Sequence, residues 1–484
     1  MKFGFFDKLV PLFLIGLSLA IFWQSLDSYF VADDHLWLSG NSLNEIIGYF
    51  SSSWGHGNAF RPFVRLSFAI NAILFGENPL GWRLTNVLIH SLNAILVFLI
   101  TKLIVSYRSN GAAEKKLALT VFIFSLLAAL LFLTAPNIGV NVSWISARTH
   151  SLATTFFLLG TLLLALEKPR YYSSTVLFII SAASYESMAM FPAFLTIMLC
   201  IKIGEMYGYK SIFKMVDEFK PLFCMALILL IFLIYRSYVL SIYTVAVGQS
   251  ADSMADISTN LLGIYGIMSA ANKWMAPTLA FIFICTLYLK KYRSAMLLSL
   301  LGSVALISPF LLAGDSAPRY TYLLTAYLSS FICVICFHLF RNNLAVLMLI
   351  VVILLFGVGR GIKKNVEYTN DTKIASTMAV NILDKLADKL DPLPDNKEIF
   401  IAGIPAKYKR SWVHATYFDV ALKKQMRQES SRATIYWDFR IMGSPADFKK
   451  ASADDDFYLY ENGDLQRVEI EEWKSSNQVQ AMKL

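Results

Sequence analysis

Residues 320–360 read YTYLLTAYLSSFICVICFHLF, then RNN, then LAVLMLIVVILLFGVGR. Two apolar runs are separated only by a short polar turn, and a helix rising about 1.5 Å per residue crosses most of a hydrocarbon core in each. Beyond Gly361 the character changes at once. Residues 362–484 hold 19 Lys+Arg and 19 Asp+Glu, whereas the three-times-longer stretch 1–361 holds 24 and 15. A membrane body is therefore followed by a charged, soluble tail.

Working outward, eleven such apolar segments are predicted: approximately 9–31, 84–104, 117–135, 150–166, 172–184, 186–201, 221–240, 277–289, 295–313, 320–340 and 344–360. The whole chain of 484 residues is 56% hydrophobic and 16% charged, against about 25% charged in an ordinary soluble domain. That composition excludes a soluble globular enzyme, a disordered chain and a disulfide scaffold. The five cysteines lie in apolar runs, Cys333-x-x-Cys336 among them, and read as small hydrophobes. There is no P-loop and no G-x-G-x-x-G, so nucleotide-driven transport has no motif behind it.

Loop charge sets the direction. One set of loops carries 16 basic residues and the opposite set seven, which makes the first set cytoplasmic. The first segment reads as a retained anchor. With an odd number of spans the tail falls outside the cytoplasm. The expected fold class is thus mainly α: a polytopic helical membrane body (1–361), with outer loops at about 32–83 and 241–276, and a small extracytoplasmic α/β domain (362–484). The expected location is the bacterial inner (plasma) membrane. In the first outer loop, FRPFVRLSFAINAIL (60–74) has the spacing of an interfacial amphipathic helix. In the tail, 373–390 reads as a helix with Ile374, Met378, Ile382 and Leu386 on one face. Residues 398–403 and 432–438 read as strands, and 456–470 as a hairpin turning at Asn462-Gly463. The net charge of +9 resides in the membrane body, so it reports topology; no nucleic-acid partner is expected.

Polar residues kept near a bilayer have a purpose. Asp33 and Asp34, in VADDHLW (31–37), follow the first span directly. Adjacent carboxylates there suit base catalysis or a shared divalent cation; a solvated membrane-end cap is the plainer alternative. Asn86, His90 and Asn93 form one stripe on the second span. His90 is a candidate substrate contact, and interhelical hydrogen bonding is its alternative. Arg148, Glu186, Arg236, Arg319 and Tyr320 belong to different spans, yet the topology sets them at one outer level, with Arg61 in the first outer loop. Arginines around a carboxylate can hold a phosphate beside a general base. Ion pairing of Glu186 with an arginine is the structural alternative.

The motifs VADDHLW, FRPFVRLS (60–67), FGENPLGWRLTNVLIHSLN (75–93), VSWISARTHSLA (142–153), SYESMAMFPAFL (184–195), YRSYVL (235–240) and APRYTYLL (317–324) occur in an order that resembles the GT-C superfamily of polytopic glycosyltransferases. The resemblance is closest to bacterial members related to protein O-mannosyltransferases and to the membrane part of tetratricopeptide-bearing ones. It covers roughly 30–325. Tyr185 stands where the family pattern has Lys, and the tail replaces the tetratricopeptide repeats. The resemblance implies a polyprenyl-phosphate-linked sugar donor, chemistry at the outer face and an acidic base in the first outer loop, a position that maps onto Asp33 with Asp34 beside it. Such a donor already carries a good leaving group. The reaction then needs a base for the acceptor hydroxyl and cations for the departing phosphate, and a single displacement inverts the anomeric centre. The acceptor class, whether lipid, glycan or protein, stays open. An outer-face polymerase or ligase of lipid-linked polysaccharide keeps the same topology. A transporter would place its polar residues at mid-membrane instead.

Overall fold

The computed structural model describes residues 5–38, 43–52, 59–107, 115–166, 168–190, 226–239 apart from 229, 303, 318–340, 343–393 and most positions of 397–437 and 455–479. The predicted span 277–289, all of 295–313 but 303, the predicted outer loop 241–276 and residues 191–201 of the span 186–201 lie outside the described residues.

Among the described residues the membrane body comprises α1 (Phe5–Leu26), α4 (Pro79–Tyr107), α5 (Lys115–Leu133), α7 (Arg148–Ala165), α8 (Tyr171–Ala182), α9 (Tyr322–Phe340) and the first part of α10 (Leu344–Leu390), with a helical segment Ala226–Val239. Short α2 (Leu43–Gly48) and amphipathic α3 (Pro62–Phe75) lie between α1 and α4, and α6 (Gly139–Ser143) precedes α7. Among the described residues four helices are long and apolar enough to cross a membrane: Phe5–Leu26, Pro79–Ser106, Arg319–Phe340 and Leu344–Leu390. The chain is a polytopic helical membrane protein.

Local signals explain the helix starts. Asn78 caps α4 by accepting from Leu80 N at 3.1 Å, with Pro79 at the first helical position. Asn343, from the RNN turn, caps α10 by accepting from Val346 N at 3.2 Å. The core of the body joins α1, α4, α5 and α9 through Leu14, Phe22, Val97, Phe124, Phe132 and Phe337. At the N-terminal end of α1 and the C-terminal end of α4, Lys102 Nζ meets Asp7 at 2.5 Å in an enclosed ion pair. In α3, Val64 and Phe68 face inward while Ile70, Ile73 and Leu74 remain exposed, as an interfacial helix requires.

The tail differs from the sequence expectation at its join. The span 344–360 and the helix 373–390 are one 47-residue helix, α10. Gly359 and Gly361 do not break it. At Gly361 the helix passes so near α5 that an added Cβ would lie 2.1 Å from Thr134 O, and Asn365 donates to Thr134 O (2.9 Å) and Ala135 O (3.2 Å). The position 361/362 therefore falls inside a helix. At about 1.5 Å per residue α10 is about 70 Å long, twice what the bilayer needs.

Beyond it the strands are β1 (Glu398–Ala402), β2 (Lys407–Tyr408), β3 (Ser411–Trp412), β4 (Thr434–Trp437), β5 (Asp456–Glu461) and β6 (Asp464–Val468), with α11 (Phe418–Gln425) and α12 (Ile470–Ser475). The main sheet runs β4-β1-β5-β6, with β1 parallel to β4 and β5 and with β5–β6 an antiparallel hairpin. Central β1 is a continuous apolar run, as a strand covered on both faces should be. One face packs Ile399, Ile401, Ile435 and Trp437 on Ala375, Ala379, Ile382 and Leu386 of α10. The other stacks Phe400, Tyr436 and Phe457 under Trp473. Small residues Ala375 and Ala379 lead the helix face, rather than Ile374 and Met378, because they let the helix approach the sheet.

The tail also docks on the membrane body. Val31, Ala32, Trp144 and Ala147 share one apolar cluster with Phe418 and Leu422 of α11. Lys373 reaches Asp27 at 2.8 Å and Lys424 reaches Glu77 at 2.6 Å. The tail therefore sits at the same end of the body as the acidic pair.

Candidate active site

The chain leaves α1 at Leu26 and turns into a 3-10 segment, Ala32–Leu38, that carries both carboxylates. Ala32 takes φ +50°, a left-handed conformation that costs a non-glycine residue about 1 kcal/mol. The turn is closed twice: Asp34 N donates to Val31 O at 3.0 Å, and Val31 N donates to Asp34 Oδ2 at 3.2 Å.

The two carboxylates have different surroundings. Asp34 is fully buried, and Oδ1 accepts from Ser146 N (2.9 Å) and Ser146 Oγ (2.8 Å). Trp37 Nε1 holds that hydroxyl from its far side at 2.9 Å. Burial pushes the Asp34 carboxyl up, opposed by Arg83 and by these hydrogen bonds. Arg83, itself enclosed, donates to the carbonyls of Ser28, Tyr29 and Ser143 and pins the same turn. Asp33 is only half-buried, and its Oδ1 is enclosed without a hydrogen-bond partner. Burial first, then the neighbouring Asp34, raise Asp33 to about 6, while Arg319 pulls the other way. An unpaired carboxylate poised near neutrality is the arrangement a general base needs.

Beside it the arginines divide into two groups. Arg319 lies 4.6 Å from the Tyr320 ring and 5.8 Å from that of Trp144, and donates to Tyr320 Oη at 2.7 Å. His150 carries this group onward, with its ring 5.3 Å from Tyr320 and 4.4 Å from Tyr185. Arg61 covers Tyr185 at 4.9 Å and forms a double contact with Glu186, Nε–Oε2 3.1 Å and Nη2–Oε2 3.0 Å. Arg236 meets the other Glu186 oxygen at 3.7 Å and keeps its buried Nε unpartnered. Asp33, Arg319, Tyr320, Arg61, Glu186 and Arg236 thus belong to one continuous cluster at the end of the body where the tail docks. The ion pairing anticipated for Glu186 is present. It holds two half-buried guanidinium groups in place, and Arg61 sets a positive charge over Tyr185.

Two expected substrate contacts lie elsewhere. Arg148 is fully enclosed and donates to Asn86 Oδ1 (2.6 Å), Ser67 O (3.2 Å) and Trp82 O (2.9 Å), its guanidinium over Phe68. It ties three segments together. His90 is likewise enclosed, with Nδ1 2.7 Å from Tyr322 Oη and Nε2 3.1 Å from Leu133 O. Asn93 joins it on Tyr322 at 3.2 Å. The polar stripe of α4 makes interhelical hydrogen bonds, and both Arg148 and His90 have their polar atoms engaged by protein partners. Conversely, Ser146 and His150 were not singled out from the run SARTH, although each stands two residues from Arg148 at the start of α7.

A divalent cation shared by the acidic pair does not fit the donor set. Both Asp34 oxygens are taken by the protein, and among the described residues no three His, Cys, Asp or Glu side chains gather.

No family model and no curated protein matches this chain. Two solved structures are similar to it across 93% of this chain and 93% of theirs: ArnT from Cupriavidus metallidurans in the apo state, with TM-score 0.51 and 13% identity, and the same protein bound to undecaprenyl phosphate, with TM-score 0.49 and 11% identity. At this identity the likeness to ArnT in the apo state is one of fold: the chain is a polytopic helical body with a small α/β domain.

Proposed function

We propose that the protein transfers a sugar from a polyprenyl-phosphate donor to an acceptor hydroxyl at the outer face of the membrane. The observation that carries this reading is the contrast within the acidic pair: Asp34 is saturated by Ser146 and Val31, whereas Asp33 presents an unpartnered oxygen. Asp33 takes the proton from the acceptor hydroxyl. The acceptor oxygen attacks the anomeric carbon, and the bond to phosphate breaks with its electron pair leaving on the phosphate oxygen. Arg319, Arg61 and Arg236 meet that growing charge, and Tyr320 orients Arg319. Attack from the face opposite the phosphate inverts the configuration. The fold shared with ArnT, the outer-level arginines and the loop-charge topology all agree with this reading. The motif order adds the relationship to mannosyltransferases. A transporter would instead bind its cargo at bilayer depth.

The direct test is purified protein in liposomes with a panel of polyprenyl-phosphate sugars, scored by release of the lipid phosphate and by the anomeric configuration of the product. Release that depends on Asp33 supports the reading. Movement of intact donor across the bilayer without bond cleavage would favour transport and reject it.

A further inference from the structure

Nothing in the reaction itself calls for the C-terminal domain, yet its contacts converge on the turn that carries Asp33. Val31 and Ala32 are 2% and 3% exposed, enclosed with Phe418 and Leu422 of α11. A left-handed alanine persists only where its surroundings over-determine it, and here part of those surroundings is the tail. The seam also contains an unusual polar pair. His35, on the catalytic turn, and His414, between β3 and α11, are 5% and 2% exposed, and each has a buried Nε2 without a hydrogen-bond partner.

We infer that the C-terminal domain is a positioning element for the catalytic turn, and that the His35–His414 seam makes its grip sensitive to acid. This rests on the reading of Asp33 as the base. From the body, His35 faces the rings of Tyr29 and Phe30 at 6.2 Å each, with Asp34 next to it in the chain. From the tail the charges of Lys424 and His414 act on this part of the seam. Lys424 in turn pairs with Glu77. His414 faces His35, the ring of Phe418 at 4.8 Å and the backbone of Ala379. Burial, followed by the charge of Lys424, lowers His35 to about 4; burial, followed by His35, lowers His414 to about 3. Freed of the seam, each imidazole returns to about 6.5. Both are depressed in the docked state, so the docked form is fully favoured above about 6.5 and loses ground as pH falls towards 4. Protonation adds charge to a closed apolar seam already bordered by Lys424, and the turn beneath is released.

The test uses the full chain in nanodiscs. Amide exchange of residues 29–38 is followed from pH 7 to 4.5, corrected for the intrinsic pH dependence, in wild type, His414→Gln, His35→Gln and Leu422→Ala. Wild type should lose protection by at least about tenfold on acidification. The two histidine variants should lose less. Leu422→Ala should exchange faster at every pH, and its transfer rate should fall with donor KM unchanged. Acid loss of the same size in all forms, or unaltered exchange at 29–38 in Leu422→Ala, overturns the inference. Exchange does not depend on catalysis. If it behaves as expected while Asp33→Asn retains wild-type transfer, the seam stands and the functional reading falls.

Discussion

Ser146 donates twice to one oxygen of Asp34, from its backbone N–H at 2.9 Å and from its hydroxyl at 2.8 Å. One residue earlier, Asp33 Oδ1 is enclosed and accepts nothing. The hydrogen bonds thus define a holder and a held group. Ser146→Ala removes the hydroxyl, one of the bonds that fix the holder. A hydrogen bond to a charged group is worth about 1.5–3 kcal/mol, so kcat should fall about tenfold or more, with donor KM little changed. Steady-state transfer at saturating and limiting donor separates the two parameters. An unaltered kcat would break the link between Ser146 and catalysis.

Arg148 and Arg319 should respond in opposite ways. Arg148→Ala strands Asn86 Oδ1 and the carbonyls of Ser67 and Trp82 in a buried site, at about 1–3 kcal/mol each. Folded yield and Tm should drop sharply. Arg319→Lys keeps a charge but loses the planar fork. It should fold like wild type and transfer poorly at limiting donor. Size-exclusion profiles and Tm, set beside donor KM, decide the matter; an Arg148→Ala protein that is stable but inactive would return Arg148 to the substrate set.

The tail contacts the same end of the body as Asp33, through Lys424–Glu77 and Lys373–Asp27. If that end is extracytoplasmic, as the basic loops indicate, a reporter active only in the cytoplasm should stay silent when fused after Leu484. The same reporter placed at 108–114, between α4 and α5, should be active. A strong signal from the C-terminal fusion would move both tail and site to the inner face.

Much of this was legible in the sequence because the bilayer imposes a strong rule. A helix that crosses it must be apolar over its whole length, so α1, α4, α5, α7 and α9 stood out from composition alone. The charges that stayed at the boundary, Asp33, Arg61, Glu186, Arg236 and Arg319, do converge in the structure. The sequence could not separate Arg148 from Arg319. Both are outer-level arginines, and only the acceptors around each guanidinium reveal that one is spent on Asn86, Ser67 and Trp82. His150 was obscure for the same reason: its meaning lies in Tyr185 and Tyr320, far away along the chain. The unbroken α10 is not legible as one helix because its polar middle, Arg360 to Asp371, separates an apolar run from an amphipathic one, and its partners, Thr134 and Ala135 for Asn365 and Lys409 for Asp371, are distant in the chain.

Asp34→Asn should be damaging for a reason other than metal loss. Its oxygens accept from Val31 N, Ser146 N and Ser146 Oγ. An amide turns one acceptor into a donor and sets N–H against N–H. Transfer and Tm should both fall. A strong chelator should leave wild-type transfer intact, because both Asp34 oxygens already accept from the protein and among the described residues no three His, Cys, Asp or Glu side chains gather. Activity abolished by the chelator and restored by a divalent metal would reverse this view of the acidic pair.

Asp33 should reveal itself through pH twice over. Its carboxyl is raised to about 6, chiefly by burial and next by Asp34. As the base it must be ionised to take the acceptor's proton, so kcat/KM should climb about tenfold per pH unit below 6 and level off above it. Asp33→Asn keeps the shape, cannot take the proton, and should lose about 10²–10⁴ in rate. Stability should move the other way. A carboxyl whose folded pKa lies above the unfolded value of about 3.9 binds its proton more tightly when folded. Its ionisation therefore destabilises the protein increasingly from about 4 upwards, and to the full extent above about 6. Asp33→Asn escapes that cost. The variant should melt above wild type at pH 7.5, and the gap should close as pH falls to about 4. A gain in Tm joined to a loss of transfer is what a residue kept for chemistry predicts. A solvated membrane-end cap predicts neither, so wild-type transfer and an unshifted Tm in Asp33→Asn would leave the pair with no catalytic role.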